Sequence, residues 1–289
     1  MLNEVSSKAY AKINFGLRVL PKREDGFHNI ESIFQTIDLY DELHVTPVSE
    51  KTCIVHCDSM QLPENNTLSN AYEAFCQTTG LDFGVKIELI KGIPAGGGLG
   101  GGSSDAACLI RILQKLYNVS LNTIQLDYIA SKTGSDVFFF MHCDEDGRGC
   151  ALVSGRGEYI EKIDNPRKDL YLVMIFPETK SSTKEAYALI DKAFAEGKEI
   201  ISPSLKELES VYRRNLEKWT FINTFTPVIA GANEEIANAI KALKNVGCCY
   251  AEMSGSGSTV FGAFTDKQQA ISAINLLGDT WNCKLVQTI

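Results

Sequence analysis

Between Val5 and about Cys57 the pattern of apolar and polar positions is mostly that of β-strands, broken by the charged turn Lys22-Arg23-Glu24-Asp25-Gly26. Leu68, Ala71, Tyr72 and Phe75 then recur at helical spacing, and Gly80 ends that short amphipathic helix. Val85-Lys86-Ile87-Glu88-Leu89-Ile90 returns to strand character, and a glycine-rich stretch from Pro94 to Asp105 follows it. Beyond that stretch Ala106, Leu109, Ile110, Leu113 and Leu116 define a second helix, with Ser103 and Ser104 as its N-cap candidates. Another helix covers residues 121–133 and is closed by Gly134, and residues 147–154 and 158–163 read as a hairpin around Gly155-Arg156-Gly157. The polar run Asp164-Asn165-Pro166-Arg167-Lys168-Asp169 reads as a linker. After it come a strand over 170–176, helices near 183–196, 204–215 and 233–244, and strands over 249–253 and 259–264 around Gly255-Ser256-Gly257-Ser258. A helix over 267–277 and a strand over 284–287 end the chain's pattern. Strands with helices between them in both halves imply α+β packing, and no repeat or low-complexity tail is present.

The order strand, glycine loop, helix has chemical content. Six of the seven residues 96–102 are glycine, which permits positive φ and close approach of a ligand to the backbone. Free amides at a helix start, joined to a bare backbone, make an anion site, and phosphate is the obvious guest. The bland alternative is a flexible linker, but linkers rarely sit directly between a strand and a well-patterned helix. No lysine follows the glycines, so the P-loop pattern is absent. Gly96, Gly98 and Gly101 match a dinucleotide fingerprint by letter, yet the nearest acidic candidate, Asp127, falls in a helical stretch rather than at the end of a second strand.

At 289 residues the chain is long for one core, so two domains are expected. Hydrophobic content of 44% and charged content of 22% describe an ordinary globular protein. A net charge of −8 argues against a nucleic-acid face but not against a small anionic ligand. The nine cysteines are odd in number and lack C-x-x-C, and with histidine only at 28, 44, 56 and 142 a zinc cluster has little support. The run Cys53-Ile54-Val55-His56-Cys57 reads better as a strand with buried, reduced thiols than as a partial metal site. Met1-Leu2-Asn3-Glu4 lacks the basic and apolar regions of a signal peptide, and no run approaches the ~20 apolar residues of a membrane helix. A cytoplasmic protein is expected.

Other pieces stand out. In Ala11-Lys12-Ile13-Asn14, Lys12 and Asn14 share one face of an alternating strand. Gly26-Phe27-His28 follows the charged turn, and Gly134-Ser135-Asp136-Val137 closes a helix. Taken singly, each has a plain reading: a solvated lysine, a turn histidine, an aspartate capping the next element, a Gly-Ser hairpin turn.

Together their order and content resemble the GHMP kinase superfamily over nearly the whole chain. The resemblance rests on Ala11-Lys12-Ile13-Asn14, Gly26-Phe27-His28, Asn65-Asn66, the Pro94 to Asp105 loop, Gly134-Ser135-Asp136-Val137 and Met253-Ser254-Gly255-Ser256-Gly257-Ser258. The glycine loop and the Ser-Gly-Ser-Gly-Ser segment mark the superfamily. The Lys-Ile-Asn and Gly-aromatic-His pieces point to its branch acting on a cytidine-diphosphate derivative of methylerythritol in the non-mevalonate isoprenoid pathway. The resemblance implies an α+β fold of two domains: an N-terminal ribosomal-S5-domain-2-like ATP-binding domain over residues 1–160 and a C-terminal ferredoxin-like α/β domain over 161–289. It implies transfer of the ATP γ-phosphoryl group to the substrate's tertiary 2-hydroxyl. Lys12 and Asp136 match the catalytic pair, with Asp136 as base and Lys12 as its electrostatic partner. Pro94, Ala95, Gly96, Gly97, Gly98, Leu99, Gly100, Gly101, Gly102, Ser103 and Ser104 match the loop around the ATP phosphates, and Asn66 a position near the adenine. Asn14 matches a residue lining the substrate site, Phe27 and His28 the cytosine contacts, and Gly255 and Ser256 the segment closing against substrate. ATP and Mg²⁺ are the implied cofactors, without assigned metal ligands. The implied partner is a small molecule, not a nucleic acid or a membrane, and monomer and homodimer both stay open.

Such roles suit phosphoryl transfer, which needs in-line placement and charge neutralisation more than covalent help. Three departures from the family pattern stand beside them. Phe27 stands where tyrosine is usual, Phe138 where a proline is common, and Pro177 to Thr183 matches only loosely, leaving Tyr187 as a candidate second stacking ring. A mevalonate- or homoserine-type kinase, a silent nucleotide-binding protein and a dinucleotide-dependent oxidoreductase are the competing readings.

Overall fold

The computed structural model describes residues 4–198 and 200–289; Met1, Leu2 and Asn3, on which the signal-peptide reading partly rests, lie outside them. In chain order the elements are β1 (Val5–Lys22), β2 (His28–Val48), β3 (Cys53–His56), α1 (Thr67–Thr79), β4 (Gly84–Ile90), α2 (Gly101–Tyr117), α3 (Thr123–Thr133), α4 (Ser135–Met141), β5 (Cys150–Gly155) and β6 (Tyr159–Lys162). There follow β7 (Tyr171–Ile175), α5 (Thr183–Ala195), α6 (Leu205–Tyr212), a 3₁₀ turn (Leu216–Lys218), α7 (Thr226–Ala232), α8 (Glu234–Asn245), β8 (Tyr250–Met253), β9 (Val260–Phe264), α9 (Lys267–Leu277) and β10 (Cys283–Gln287). The molecule is α+β. Among the described residues no helix is long and apolar enough to cross a membrane. Two compact units arise from interleaved segments: one takes the chain up to Ala11, Leu39–Ala95 and Gly100–Gly149, the other Lys12–Asp38, Gly96–Leu99 and Cys150–Ile289.

In the first unit the later part of β2 pairs antiparallel with β4, from Glu42↔Ile90 to Val48↔Gly84, and β3 runs parallel to β4. Helices α1 to α4 pack on one another. The spacing of Leu68, Ala71, Ala74 and Phe75 gives α1 its buried stripe, and Asn66 caps it. The cap of α2 differs from the sequence expectation. Gly100 is the N-cap at φ 70°, and Ser103 and Ser104 fall inside the first turn. A left-handed glycine turns the chain into the helix, so no serine is needed there. The seven-residue α4, which holds Asp136, is too short to announce itself by period. Cys53 and Cys57 are half-buried rather than buried; burial pushes the Cys53 thiol up to about 12.

In the second unit the first part of β2 pairs antiparallel with β5, from Ile30↔Gly155 to Gln35↔Cys150, and β5 forms the expected hairpin with β6. A four-stranded antiparallel sheet in the order β10-β7-β9-β8 carries α8 on β8 and β9, and α9 on β7, β9 and β10. Phe15, Tyr212, Trp219, Phe221, Tyr250 and Phe261 form its aromatic core, with Phe15 and Trp219 edge to face at 4.9 Å. The 164–169 segment is no loose linker. Arg213 donates to the carbonyls of Asp164 and Asn165, and Arg167 donates its N–H to the Tyr212 hydroxyl and accepts from Gln35.

Candidate active site

In the second unit a buried polar network centres on Asn14. Its Oδ1 accepts from the Lys12 ammonium at 2.9 Å and from the Gly255 N–H at 2.9 Å, while its amide nitrogen donates to the Ser32 hydroxyl at 3.2 Å. Lys12, 3% exposed, lies 4.5 Å from the centre of the Phe34 ring, and its backbone N–H donates to the Leu99 carbonyl. Alternation along β1 puts Lys12 and Asn14 on one face, so a lysine and its amide partner are fixed by a single strand.

Gly255 meets the glycine loop in the same unit. The Ser254 hydroxyl donates to the Gly98 carbonyl at 3.0 Å, and Thr259 N–H to that of Gly97. A Cβ on Gly98 would stand 2.1 Å from the Ser254 carbonyl oxygen, and φ there is +75°, so only glycine fits. Asn223, fully buried on the segment before α7, donates to the carbonyls of both Met253 and Gly255. Beneath it Glu252 accepts from Asn223 and Met253 N–H and from the Thr226 hydroxyl; burial raises its carboxyl above the ordinary range. Ser256 bonds through its hydroxyl to Thr183 at 2.9 Å.

His28 is also buried. Its Nδ1 lies 2.8 Å from the Leu20 carbonyl and is therefore a donor, its Nε2 faces the Asp191 carboxylate at 3.2 Å, and its ring stacks on Tyr187 at 5.0 Å. The Lys22 ammonium also reaches Asp191, at 3.3 Å. Phe27 is 53% exposed, with the Arg156 guanidinium 4.7 Å from its ring centre.

In the first unit the start of α2 brings its own set together. The Ser104 hydroxyl is committed to the Tyr10 carbonyl at 2.6 Å, while Ser103 is half-exposed and its oxygen lies 3.9 Å from where a Gly134 Cβ would stand. Asp136 follows two residues after Gly134, half-buried in the first turn of α4. Asn66 has its side chain engaged in the α1 cap, accepting from Leu68 and Ser69 N–H and donating to the Pro63 carbonyl. Thr67 beside it packs against Gly102, 3.1 Å from where a Cβ would be, so the start of α1 adjoins the start of α2. Among the described residues no group of three or more His, Cys, Asp or Glu could hold a metal. The Ser103 hydroxyl and the Asp136 carboxylate are hard oxygen donors of the kind Mg²⁺ takes one or two at a time beside substrate phosphates.

Sequence reasoning did not single out Ser32, Thr183, Asp191 or Asn223. Asn223 had one signal, a polar pair with Thr224 inside the apolar run Phe221-Ile222 and Phe225. The others are ordinary polar residues until the fold assembles them.

A glycine loop feeding a long helix, with a buried lysine fixed beside part of that loop, is a phosphate-handling arrangement. Residues 66–144 match the GHMP kinases N terminal domain and residues 198–283 the GHMP kinases C terminal. The chain belongs to the GHMP kinases, a family of ATP-using phosphotransferases. It is 34% identical over 287 residues to the 4-diphosphocytidyl-2-C-methyl-D-erythritol kinase of Treponema pallidum, covering 97% of each chain. To the kinase of the same name from Thermotoga maritima it is 38% identical over 260 residues, covering 89% of this chain and 90% of that one. A crystal structure of a 4-(cytidine 5'-diphospho)-2C-methyl-D-erythritol kinase matches with a TM-score of 0.78 at 29% identity, over 98% of this chain and 99% of that one.

Proposed function

We propose that this chain transfers the γ-phosphoryl group of ATP to the 2-hydroxyl of 4-diphosphocytidyl-2-C-methyl-D-erythritol, a step of the non-mevalonate isoprenoid pathway. The observation that carries the reading is the Asn14 network, which ties a buried ammonium to the Ser254-Gly255 backbone beside Gly98. Full-length likeness to relatives bearing that name supports the choice of substrate.

In this reading Asp136 takes the proton of the acceptor alcohol. A tertiary alcohol is a poor nucleophile, and a base within hydrogen-bond reach contributes about 10²–10⁴-fold. Lys12, aimed by Asn14, stabilises the charge that develops on the transferred group. The backbone of residues 94–102, with Ser103 and Ser104, holds the triphosphate, a helix N-terminus alone contributing up to ~2 kcal/mol. Asn66 sets the adenine side through the cap that fixes the start of α1. Phe27 and His28 take the cytosine, with Tyr187 as the second ring, and Gly255 and Ser256 close on the substrate. Ser103 and Asp136 would hold Mg²⁺ beside the nucleotide, where the ion would supply neutralisation of phosphate charge. Residues 1–160 serve as the nucleotide half and 161–289 as the substrate half, in a cytoplasmic protein.

The test is a coupled kinase assay of the purified protein with ATP and Mg²⁺. Turnover is expected with the cytidine substrate. Turnover only with mevalonate or homoserine overturns the substrate assignment, and ATP binding without turnover on any alcohol indicates a silent binding protein. Tight NAD binding with no ATP binding revives the oxidoreductase reading.

A further inference from the structure

Within the second unit Asn223 is fully buried with every polar atom engaged, and the proposed chemistry gives it no part. Its two amide hydrogens go to the carbonyls of Met253 at 2.8 Å and Gly255 at 2.7 Å, and its Oδ1 accepts from the Phe225 N–H at 3.0 Å. Its backbone N–H donates to Glu252 at 3.1 Å, and its carbonyl accepts from the Thr226 N–H at 2.9 Å. The residues around it are pinned to β1. Leu17 N–H donates to the Ile222 carbonyl at 3.0 Å, Thr224 N–H donates to the Leu17 carbonyl at 2.8 Å, and the Thr224 hydroxyl accepts from Val19 N–H at 3.0 Å. β1 is also the strand that carries Lys12 and Asn14, so Asn223 and the lysine share one mount.

The two carbonyls that Asn223 holds belong to the peptide groups on either side of the Ser254-Gly255 peptide. That middle peptide supplies the N–H that meets Asn14 Oδ1 at 2.9 Å, and its carbonyl accepts from Gly257 N–H at 2.9 Å. Gly255 sits at φ +56°, and a glycine, with no Cβ, has more backbone states open to it than any other residue. With both flanking peptides bonded to one rigid side chain, the turn keeps a single state. The bonds close a ring: β1 holds residues 222–224, Asn223 holds Gly255, Gly255 donates to Asn14, and Asn14 returns to β1 beside Lys12. We propose that Asn223 is a positioning residue for phosphoryl transfer: it keeps the Gly255 N–H on Asn14 Oδ1, and that oxygen aims the Lys12 ammonium at the transferred group. The Asn14 amide nitrogen keeps its own bond to Ser32 at 3.2 Å, so losing Gly255 shifts the oxygen rather than freeing the whole side chain. A displacement of about 1 Å at a reacting group costs about 10²-fold in rate, which is how a residue remote from substrate governs turnover. The inference rests on the reading that Lys12 acts on the transferred group.

Hydrogen exchange and kinetics test it separately. In Asn223→Ala the Gly255 amide is expected to exchange about tenfold faster or more than in the wild type, while the amides of β9 exchange as before. An unchanged Gly255 rate overturns the clamp whatever the chain phosphorylates, and so does a uniform rise through β8 and β9, which marks general loosening. In steady-state kinetics with ATP and the cytidine substrate, kcat is expected to fall by about tenfold to about 10²-fold while KM for ATP stays within about twofold. A KM for ATP that rises as far as kcat falls puts the effect on the glycine loop and overturns the role. A double-mutant cycle separates action through Asn14 from a general loss of active protein. In an Asn14→Ala background, Asn223→Ala is expected to change kcat by less than about twofold, whereas an equal factor in both backgrounds overturns the route. Should Asn223→Ala not fold, Asn223→Ser takes its place, short enough to release both carbonyls while its hydroxyl still accepts from Phe225 N–H. Should Asn14→Ala be too slow to time, the exchange rates decide. A wild type that turns over no alcohol removes the reading of Lys12, while the Gly255 exchange still stands or falls by itself.

Discussion

Asn14 does more at the residue scale than its neighbours in sequence. Its one carbonyl oxygen accepts from an ammonium and from the backbone of a distant loop, so Lys12 is aimed rather than merely buried. A lysine with a long flexible stem has several rotamers to lose, and that fixed partner removes most of the freedom. Asp136 carries the chemical step in the proposed mechanism. Asp136→Ala is therefore expected to lower kcat by about 10²–10⁴-fold while ATP binding, followed by titration calorimetry, largely survives. Turnover near the wild-type level would show that Asp136 is not the base.

The glycine loop works at the scale of elements, and its glycines have different reasons to be there. Gly96 sits at φ +73° with open space where a Cβ would go, whereas Gly98 is walled by the Ser254 carbonyl. Gly98→Ala is thus expected to displace the loop from the Ser254-Gly255 segment and raise KM for ATP by about tenfold or more, a backbone clash of several kcal/mol being the worst case. Gly96→Ala, with only its positive φ against it, is expected to cost about 1–2 kcal/mol, read as a smaller shift in the same titration. Equal effects at the two positions would refute the distinction. Much of this architecture was legible beforehand. Period gave β4, α2, α3 and the α9–β10 ending, because an amphipathic stripe or an alternating run is a local property. The N-cap at Gly100 was not legible, since a left-handed glycine and a capping serine look alike in a Gly-Gly-Gly-Ser-Ser string. The short α4 and α7 and the pinning of residues 164–169 by Arg213, Tyr212 and Gln35 depend on partners remote in sequence. For the same reason motifs single out Lys12, Asn14 and Gly255, which meet in one network, whereas Asn223, Asp191 and Ser32 are not singled out: their partners lie far away in sequence.

For the whole molecule, buried carboxyl groups set the response to pH. Asp105 in one unit and Glu252 in the other are both raised by burial, Asp105 to about 8. A group whose folded pKa exceeds its unfolded value binds protons more tightly when folded. Its contribution to stability is complete below the unfolded value, 3.8 for Asp105 and 4.5 for Glu252, and is lost as pH rises through the folded value. Asp169 runs the other way, lowered by its hydrogen bonds from Arg167, but its effect is spent in the acid range below 3.8. Raised acids therefore dominate towards neutrality, and Tm is expected to fall as pH rises from about 4 to about 8, by about 2–4 °C for each kcal/mol withdrawn. Asp105→Asn removes one of the two groups responsible, so its Tm should fall less over that range and overtake the wild type towards the alkaline end. Parallel Tm profiles for the two proteins would mean that burial does not raise the Asp105 carboxyl in the folded protein.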